Sequence, residues 1–409
     1  LLIGAAFCAY LNHYVLKLPA NSGLLLIAMA LTLILRLVEQ AFPAMDIARL
    51  LQQSLRRADF GSLLLNGVLG FLLFAGALDV EVEGLLARKW TILALATAGV
   101  VLSTLGIAAG MFWIFRLCGV EVPVGYCLAF GALLSPTDPV TVLSALRRAG
   151  IPAPLQAVIA GESLFNDGIG IVLYSIALAV AAGGGHGGPS AQGVGLLFLR
   201  EAGGGALLGL CTGALAFAAM RGIDEYRIEL MISLALVTGT YGMAQTLGVS
   251  GPVAVVVAGL LIGSVGLRYA VSSTTHEYLM KFWSLVDELL NALLFLLIGL
   301  EFAAIELRWS FLAAASLAVP LALGVRGISI ALAGLPLNLS APNKMRAVGL
   351  LTWSGLRGGI SIALVLSLPD NPYNPALVAA CYGVVIFTMT AQGLSLGRVA
   401  AWLYPSTQR

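Results

Sequence analysis

Apolar residues in this chain come in runs of about 20, and this spacing constrains the fold more than any other feature of the sequence. A run of that length, coiled as a helix, crosses a hydrocarbon core that is about 30 Å thick. Only 10% of the residues are charged and 59% are hydrophobic, whereas a soluble domain carries about 25% charged residues. The sequence therefore predicts an all-α polytopic membrane protein.

The charged residues, cysteines and histidines do not support several other classes of protein. The formal net charge of +2 provides no basic surface for a nucleic acid. The five cysteines are scattered without a CxxC pair, and the three histidines are far apart without a metal-binding spacing. We therefore expect no cofactor, no disulfide framework and no nucleic-acid partner.

Charged residues, prolines and glycines divide the apolar sequence into thirteen candidate spans. They lie near 1–16, 20–38, 60–79, 90–116, 122–146, 154–183, 194–219, 228–247, 252–267, 279–301, 308–334, 345–368 and 374–404. Thirteen lysines and arginines fall in the odd-numbered loops and the C-terminal tail, against seven in the even-numbered loops. This excess predicts an N-terminus outside and a C-terminus in the cytoplasm, although the second loop, with four arginines, indicates the opposite orientation.

An internal repeat is visible between the two halves of the chain. FLLFAGALD (71–79) ends the third span and FLLIGLE (295–301) ends the tenth. In each half a long apolar span follows, and then a glycine-rich span that is interrupted, at GALLSPTDPV (131–140) and at GLLTWSGLRGG (349–359). Because the copies are seven spans apart, they must lie upside down relative to each other. Inverted repeats with interrupted helices indicate a transporter.

Five charged residues stand clear of the ends of their spans, where a charge is costly and is by default functional. They are Asp138, Glu162, Asp167, Arg326 and Arg357. The prolines of SPTDP (135–139) predict a helix break that frees backbone carbonyls at mid-membrane depth. Together with the Thr137 hydroxyl and the Asp138 carboxylate, those carbonyls are hard oxygen ligands that suit a small alkali cation. A proline kink with an incidental aspartate is the alternative.

The segment GESLFNDGIG (161–170) predicts a polar stripe on an intact helix. Ser163 and Asp167 are four residues apart, as are Glu162 and Asn166, so the two pairs share one part of the helix circumference. Such a stripe must face the protein interior or a water-filled cavity, and we predict that Asp167 is the carboxylate that carries the ion. A polar network that only holds helices together is the alternative.

Arg326 and Arg357 supply permanent positive charges in the second half of the chain. We expect one of them to neutralise a structural acid and the other to orient the amide of Asn166. A purely structural role for both arginines is compatible with transport.

The combined motifs resemble the monovalent cation:proton antiporters of the NhaP/NHE type over essentially the whole chain. The matching elements are SPTDPV (135–140), GESLFND (161–167), the span around Arg326, and WSGLRGGISIALVLSLP (353–369). The resemblance implies a thirteen-helix, NhaA-like fold in which two broken helices cross, and a homodimer. It further implies scaffold helices in 1–88, core helices in 89–183, linker and scaffold helices in 184–307, and core helices in 308–409.

The same resemblance implies roles for individual residues. Asp167 would bind the cation and the proton, and Thr137, Asp138 and Ser163 would complete the oxygen shell around Na+. Asn166 marks the electroneutral members of the family.

Arg326 would lie against Asn166, and Glu162 would pair with Arg357. Family members often have an acid in the third span, where this chain has Ala75, so Asp79 is the candidate to replace it beside Arg326.

The function that follows is electroneutral exchange of Na+ or Li+ for H+ by alternating access, in the service of pH homeostasis at a cell membrane. The cation and the proton would compete for Asp167, because a bare carboxylate is costly at low dielectric. A K+/H+ antiporter, a passive cation channel, and an intramembrane hydrolase that uses Asp138 and Asp167 are the alternatives. The inverted repeat favours a carrier, and we expect no enzymatic activity.

Overall fold

The computed structural model describes residues 1–41, 67–182, 191–267, 271–302, 305, 308–334 and 344–405. These residues form sixteen helical segments and no β-strand. The segments are α1 (Leu2–Leu16), α2 (Ala20–Ala41), α3 (Leu69–Leu78), α4 (Val82–Ala87), α5 (Lys89–Leu117), α6 (Val124–Leu133), α7 (Pro139–Arg148), α8 (Ala153–Ala182), α9 (Gln192–Arg221), α10 (Tyr226–Leu247), α11 (Gly251–Ser264), α12 (Ser273–Glu301), α13 (Trp309–Gly334), α14 (Lys344–Trp353), α15 (Gly359–Leu366) and α16 (Asn374–Leu403).

Eight of these helices are long and apolar enough to cross a membrane by length and composition, and several shorter apolar helices accompany them. The prediction of an all-α polytopic membrane protein is therefore confirmed. The count of thirteen spans stays a prediction, because residues 42–66 lie outside the described part of the chain. The same segment contains three of the four arginines in the second predicted loop, and the predicted orientation remains untested.

Both predicted helix interruptions are present. α6 ends at Leu133 and α7 begins at Pro139, so residues 134–138 are not helical. α14 ends at Trp353 and α15 begins at Gly359. In the first break, proline 139 cannot donate the hydrogen bond that would continue the helix to the carbonyl of Ser135, four residues earlier. The backbone groups of these two breaks need other partners.

The helices pack in two groups. One group contains α5, α6, α8, α13 and α16, and these helices flank the two breaks. The other contains α3, α9, α10, α11 and α12, with α2 packed along α12. The domain boundaries predicted above stay a prediction, although this packing is compatible with them.

A stripe of glycines allows α9 and α11 to pack closely. Gly205, Gly209 and Gly213 recur every four residues and are buried. A Cβ atom at Gly209 would collide with the backbone carbonyl of Ala254, and one at Gly213 would lie 3.2 Å from the Cα of Ala258. Small residues at this spacing let helix backbones approach each other in a membrane.

We expect Gly209→Ala to destabilise the protein by about 1–3 kcal/mol, because the backbone that it meets cannot move aside cheaply. Gly239→Ala is the matched control, since a Cβ there meets nothing within 4 Å. Thermal unfolding of the purified protein in detergent is the measurement. Equal melting temperatures for the two variants would contradict the close packing of α9 and α11.

Candidate functional site

The two helix breaks meet each other through their backbones. The amide N–H of Asp138 donates to the carbonyl of Leu356 over 2.8 Å. A Cβ atom at Gly358 would lie 3.1 Å from the Cβ of Asp138. The two interrupted segments therefore approach each other very closely at this point. The break in the first half and the break in the second half therefore form one crossing.

Arg357 supplies the partners that the first break lacks. Its guanidinium donates to the carbonyl of Ser135 and, over 2.8 Å, to the carbonyl of Pro136. The side chain is only 2% exposed. The backbone of Arg357 is held in turn by the Thr388 hydroxyl, which lies 3.2 Å from both its amide nitrogen and its carbonyl oxygen. A buried carbonyl without a donor would cost free energy, and a permanently charged donor removes that cost.

Helix α8 brings its polar stripe against the crossing. The hydroxyls of Thr137 and Ser163 are 2.9 Å apart. The Asn166 amide nitrogen donates to the Thr137 hydroxyl over 2.8 Å, and its amide oxygen accepts from the Thr137 backbone N–H over 3.2 Å. Asn166 is fully buried. Its amide therefore fixes the broken segment to the intact helix.

Asp167 lies one residue further along the same stripe and is 4% exposed. Its Oδ1 is buried and has no hydrogen-bond partner within the described residues. The carboxylate lines a cavity beside the crossing, together with Thr137, Asp138 and Gly358. A buried carboxylate oxygen without a donor is rare and requires an explanation.

Glu162 and Arg326 form a buried ion pair. The two guanidinium nitrogens donate to the two carboxylate oxygens over 2.5 and 2.8 Å, and the side chains are 1% and 6% exposed. This geometry is the bidentate arrangement that makes arginine–carboxylate pairs strong. The charge of Glu162 on α8 is therefore already neutralised by Arg326 on α13.

The predicted pairing of Glu162 with Arg357 is wrong, because Arg357 is committed to the carbonyls of the first break. The predicted contact between Arg326 and Asn166 is not direct either. The Asn166 amide nitrogen lies 3.5 Å from Glu162 Oε1, so Glu162 stands between the arginine and the amide. One arginine does neutralise an acid, as predicted, but Thr137 rather than an arginine orients the Asn166 amide.

Asp79 does not replace the missing acid of the third span. It is 60% exposed and lies 3.5 Å from Arg147 on α7. Ala75 is buried in the apolar cluster that α3 shares with α10 and α12. The absence of an acid at position 75 is accommodated because Glu162 provides the partner of Arg326.

Sequence reasoning missed two polar residues that line the same cavity as Asp167. They are Asp287 and Asn291 on α12. The predicted span began at 279, whereas the helix begins at Ser273. The earlier start places Asp287 at the middle of the helix. It already lay eight residues inside the predicted span, and an acid that far from the ends of an apolar span was the signal that could have identified it.

Comparisons with known proteins agree on one family. The family model for the sodium/hydrogen exchanger, transmembrane, matches residues 2–402. The Na(+)/H(+) antiporter NhaP of Pseudomonas aeruginosa is 42% identical over 400 residues, which cover 97% of this chain and 93% of the relative. The Na(+)/H(+) antiporter NhaH of Halobacillus dabanensis is 34% identical over 387 residues, which cover 93% and 91%.

A solved structure has a similar fold. The sodium proton antiporter MjNhaP1 from Methanocaldococcus jannaschii, at pH 8, superposes with a TM-score of 0.73 at 20% identity. The superposition covers 98% of this chain and 96% of that one.

We expect Glu162→Gln to destabilise the protein by about 3–5 kcal/mol, because it leaves the Arg326 charge buried without its partner. Glu277→Gln is the matched control, since Glu277 pairs with Lys281 on an exposed face. Thermal unfolding in detergent compares the two variants. A melting temperature for Glu162→Gln equal to that of the control would show that the buried pair does not support the fold.

Proposed function

The chain belongs to the sodium/hydrogen exchanger family, and on that premise we propose that it exchanges Na+ for H+ electroneutrally, with Asp167 carrying each ion in turn. As a member of that family it is a multi-pass membrane transporter and not an enzyme. The observation that carries the proposal is the buried Oδ1 of Asp167, which has no hydrogen-bond partner among the described residues. A proton or a cation would satisfy this oxygen.

Competition at Asp167 follows from the cost of burying a charge. An uncompensated carboxylate in a medium of low dielectric is far less stable than a neutral acid or an ion pair. The carboxylate therefore holds a proton or a cation, and the site changes its access to the two sides of the membrane when it is neutral. Na+ and H+ exclude each other because both use the same carboxylate.

The oxygen atoms around Asp167 suit a small alkali cation. The Ser163 hydroxyl keeps at least one free lone pair whichever way its bond to Thr137 runs, because a hydroxyl has one donor and two acceptor positions. Asp138 and Thr137 line the cavity that Asp167 also lines. We propose that these groups bind Na+ with Asp167, and that Li+ is an alternative substrate.

The charge balance of the site supports an exchange of one cation for one proton. On the core helices at the crossing, Asp138, Glu162 and Asp167 contribute three negative charges, and Arg326 and Arg357 contribute two positive charges. Asp287 lies on α12, outside these helices, and is not part of this balance. One negative charge remains, and a single Na+ or a single proton cancels it. Asn166 adds no charge, so the loaded site is neutral in both forms.

The movement that we propose is alternating access of the core helices, 89–183 and 308–409, against the remaining helices of a homodimer. The crossing of two broken helices supports this proposal, because transporters with inverted repeats bind their substrates at such a crossing. We also propose that the N-terminus is outside and the C-terminus is cytoplasmic, in accordance with the distribution of lysine and arginine.

We expect Asp167→Asn to abolish exchange, since the amide can neither bind a proton nor neutralise a cation. The measurement is dequenching of a pH-gradient dye in proteoliposomes after the addition of Na+, Li+ or K+. Asp224→Asn, at an exposed position between α9 and α10, is the matched control and should retain wild-type exchange. Exchange by Asp167→Asn at the wild-type rate would refute the proposed role of Asp167.

The charge balance also makes the unmodified protein insensitive to membrane potential. We expect the initial rate of Na+/H+ exchange to be the same when potassium gradients and valinomycin set the potential to zero, positive or negative values. A rate that rises or falls systematically with the imposed potential would mean that net charge moves, and electroneutral exchange would be wrong.

A further inference from the structure

Asp287 lies at the middle of the long apolar helix α12. It takes no part in the buried ion pair between Glu162 and Arg326. It lies fourteen residues after Ser273 and fourteen before Glu301, the two ends of α12. This places it about 21 Å from either end of a membrane-spanning helix. An ionisable residue at such a depth that also lines a cavity is a functional candidate, because the bilayer interior penalises its charge.

The hydrogen bonding of Asp287 is local. The Asn291 amide nitrogen, one turn further along α12, donates to Asp287 Oδ1 over 3.1 Å. Arg147, which lines the same side of the molecule, pairs with Asp79 instead. A carboxylate that joined helices together would bond to another helix. This carboxylate is oriented by its own helix, and the Asn291 amide oxygen remains as a further acceptor beside it.

Two cavities meet at Asp287. The inner one contains Asp138 and Asp167 on the side of the broken helices and Asp287 on the side of α12. The outer one extends from Asp287 to the exposed pair Asp79 and Arg147. Gly76, Leu164 and Asp287 line both cavities. Asp287 therefore lies between the solvent-exposed pair and the buried carboxylate whose Oδ1 has no partner among the described residues.

We propose that Asp287, held in place by Asn291, forms a second binding position for a small monovalent cation on the path to Asp167. This inference rests on the proposed Na+/H+ exchange and adds an earlier step to it. The cation passes from Asp287 on α12 to the crossing of the broken helices. The charged residues that line the inner cavity, Asp138, Asp167 and Asp287, are all acidic, and a cleft lined by charges of one sign raises the local concentration of counter-ions by about tenfold or more.

The test compares Asp287→Asn with Glu288→Gln in the proteoliposome assay over a range of Na+ concentrations. Glu288 is the neighbouring acid on α12, is exposed, and lines neither cavity. We expect Asp287→Asn to raise the apparent KM for Na+ about tenfold, with the rate recovered at saturating Na+. Asp287→Glu should restore most of the apparent affinity, and Glu288→Gln should match the wild type.

A change in KM below twofold for Asp287→Asn would overturn the proposal. So would a loss of maximal rate at an unchanged KM, because Asp287 would then act in the fold or in the movement and not in cation recruitment. Melting temperatures of the four proteins identify a variant that is merely unfolded. If Asp287→Asn does not fold, Asn291→Ala takes its place. We expect this variant to raise the apparent KM for Na+ by less than about tenfold, and an unchanged KM would contradict the proposal.

A binding measurement separates this proposal from the proposed function. Equilibrium binding of radioactive Na+ is measured for Asp167→Asn and for the double variant Asp167→Asn/Asp287→Asn. We expect weak residual binding in the single variant and none in the double variant. Equal Na+ binding by the single and the double variant would refute the second binding position at Asp287 and leave the role of Asp167 intact. Undiminished exchange by Asp167→Asn in proteoliposomes would instead refute the proposed function.

Discussion

The bonds from the Arg357 guanidinium to the carbonyls of Ser135 and Pro136 are the interaction on which the rest of the site depends. Two interrupted helices inside a membrane have backbone groups that neither water nor their own helix satisfies. One arginine from the second break satisfies the first, and the bond from the Asp138 N–H to the Leu356 carbonyl joins the two backbones. Thr137 and Asp138 can therefore lie beside α8 without a penalty from unpaired carbonyls.

The buried charges fall into two kinds once this crossing is in place. Glu162 and Arg326 neutralise each other, and Arg357 is occupied by the backbone. Asp167 keeps a carboxylate oxygen that has no donor in the described part of the chain. Among the charged groups of the crossing and of α8 beside it, the carboxylate oxygen without a donor therefore belongs to Asp167. Asp287 faces this carboxylate from the other group of helices.

Much of this arrangement could be predicted from local sequence, and the remainder could not for a physical reason. Two prolines three residues apart, Pro136 and Pro139, predict a break in the helix, and the four-residue spacing of Ser163 and Asp167 predicts a shared face. The pairing of three acids with two arginines depends instead on how distant helices cross, and the predicted partner of Glu162 was wrong. Asp287 lay inside the predicted span 279–301, but its position beside the crossing depends on how α12 packs against the broken helices, which the local sequence does not specify.

The crossing also has a consequence for how the protein is made. The carbonyls of Ser135 and Pro136 are separated from their donor, Arg357, by 222 and 221 residues, and Glu162 precedes Arg326 by 164 residues. During synthesis the first interrupted helix enters the bilayer long before its partner leaves the ribosome. Its polar backbone must stay hydrated or shielded until the second half arrives. A nascent chain that stalls before residue 357 therefore lacks the donor for these carbonyls and cannot complete the crossing.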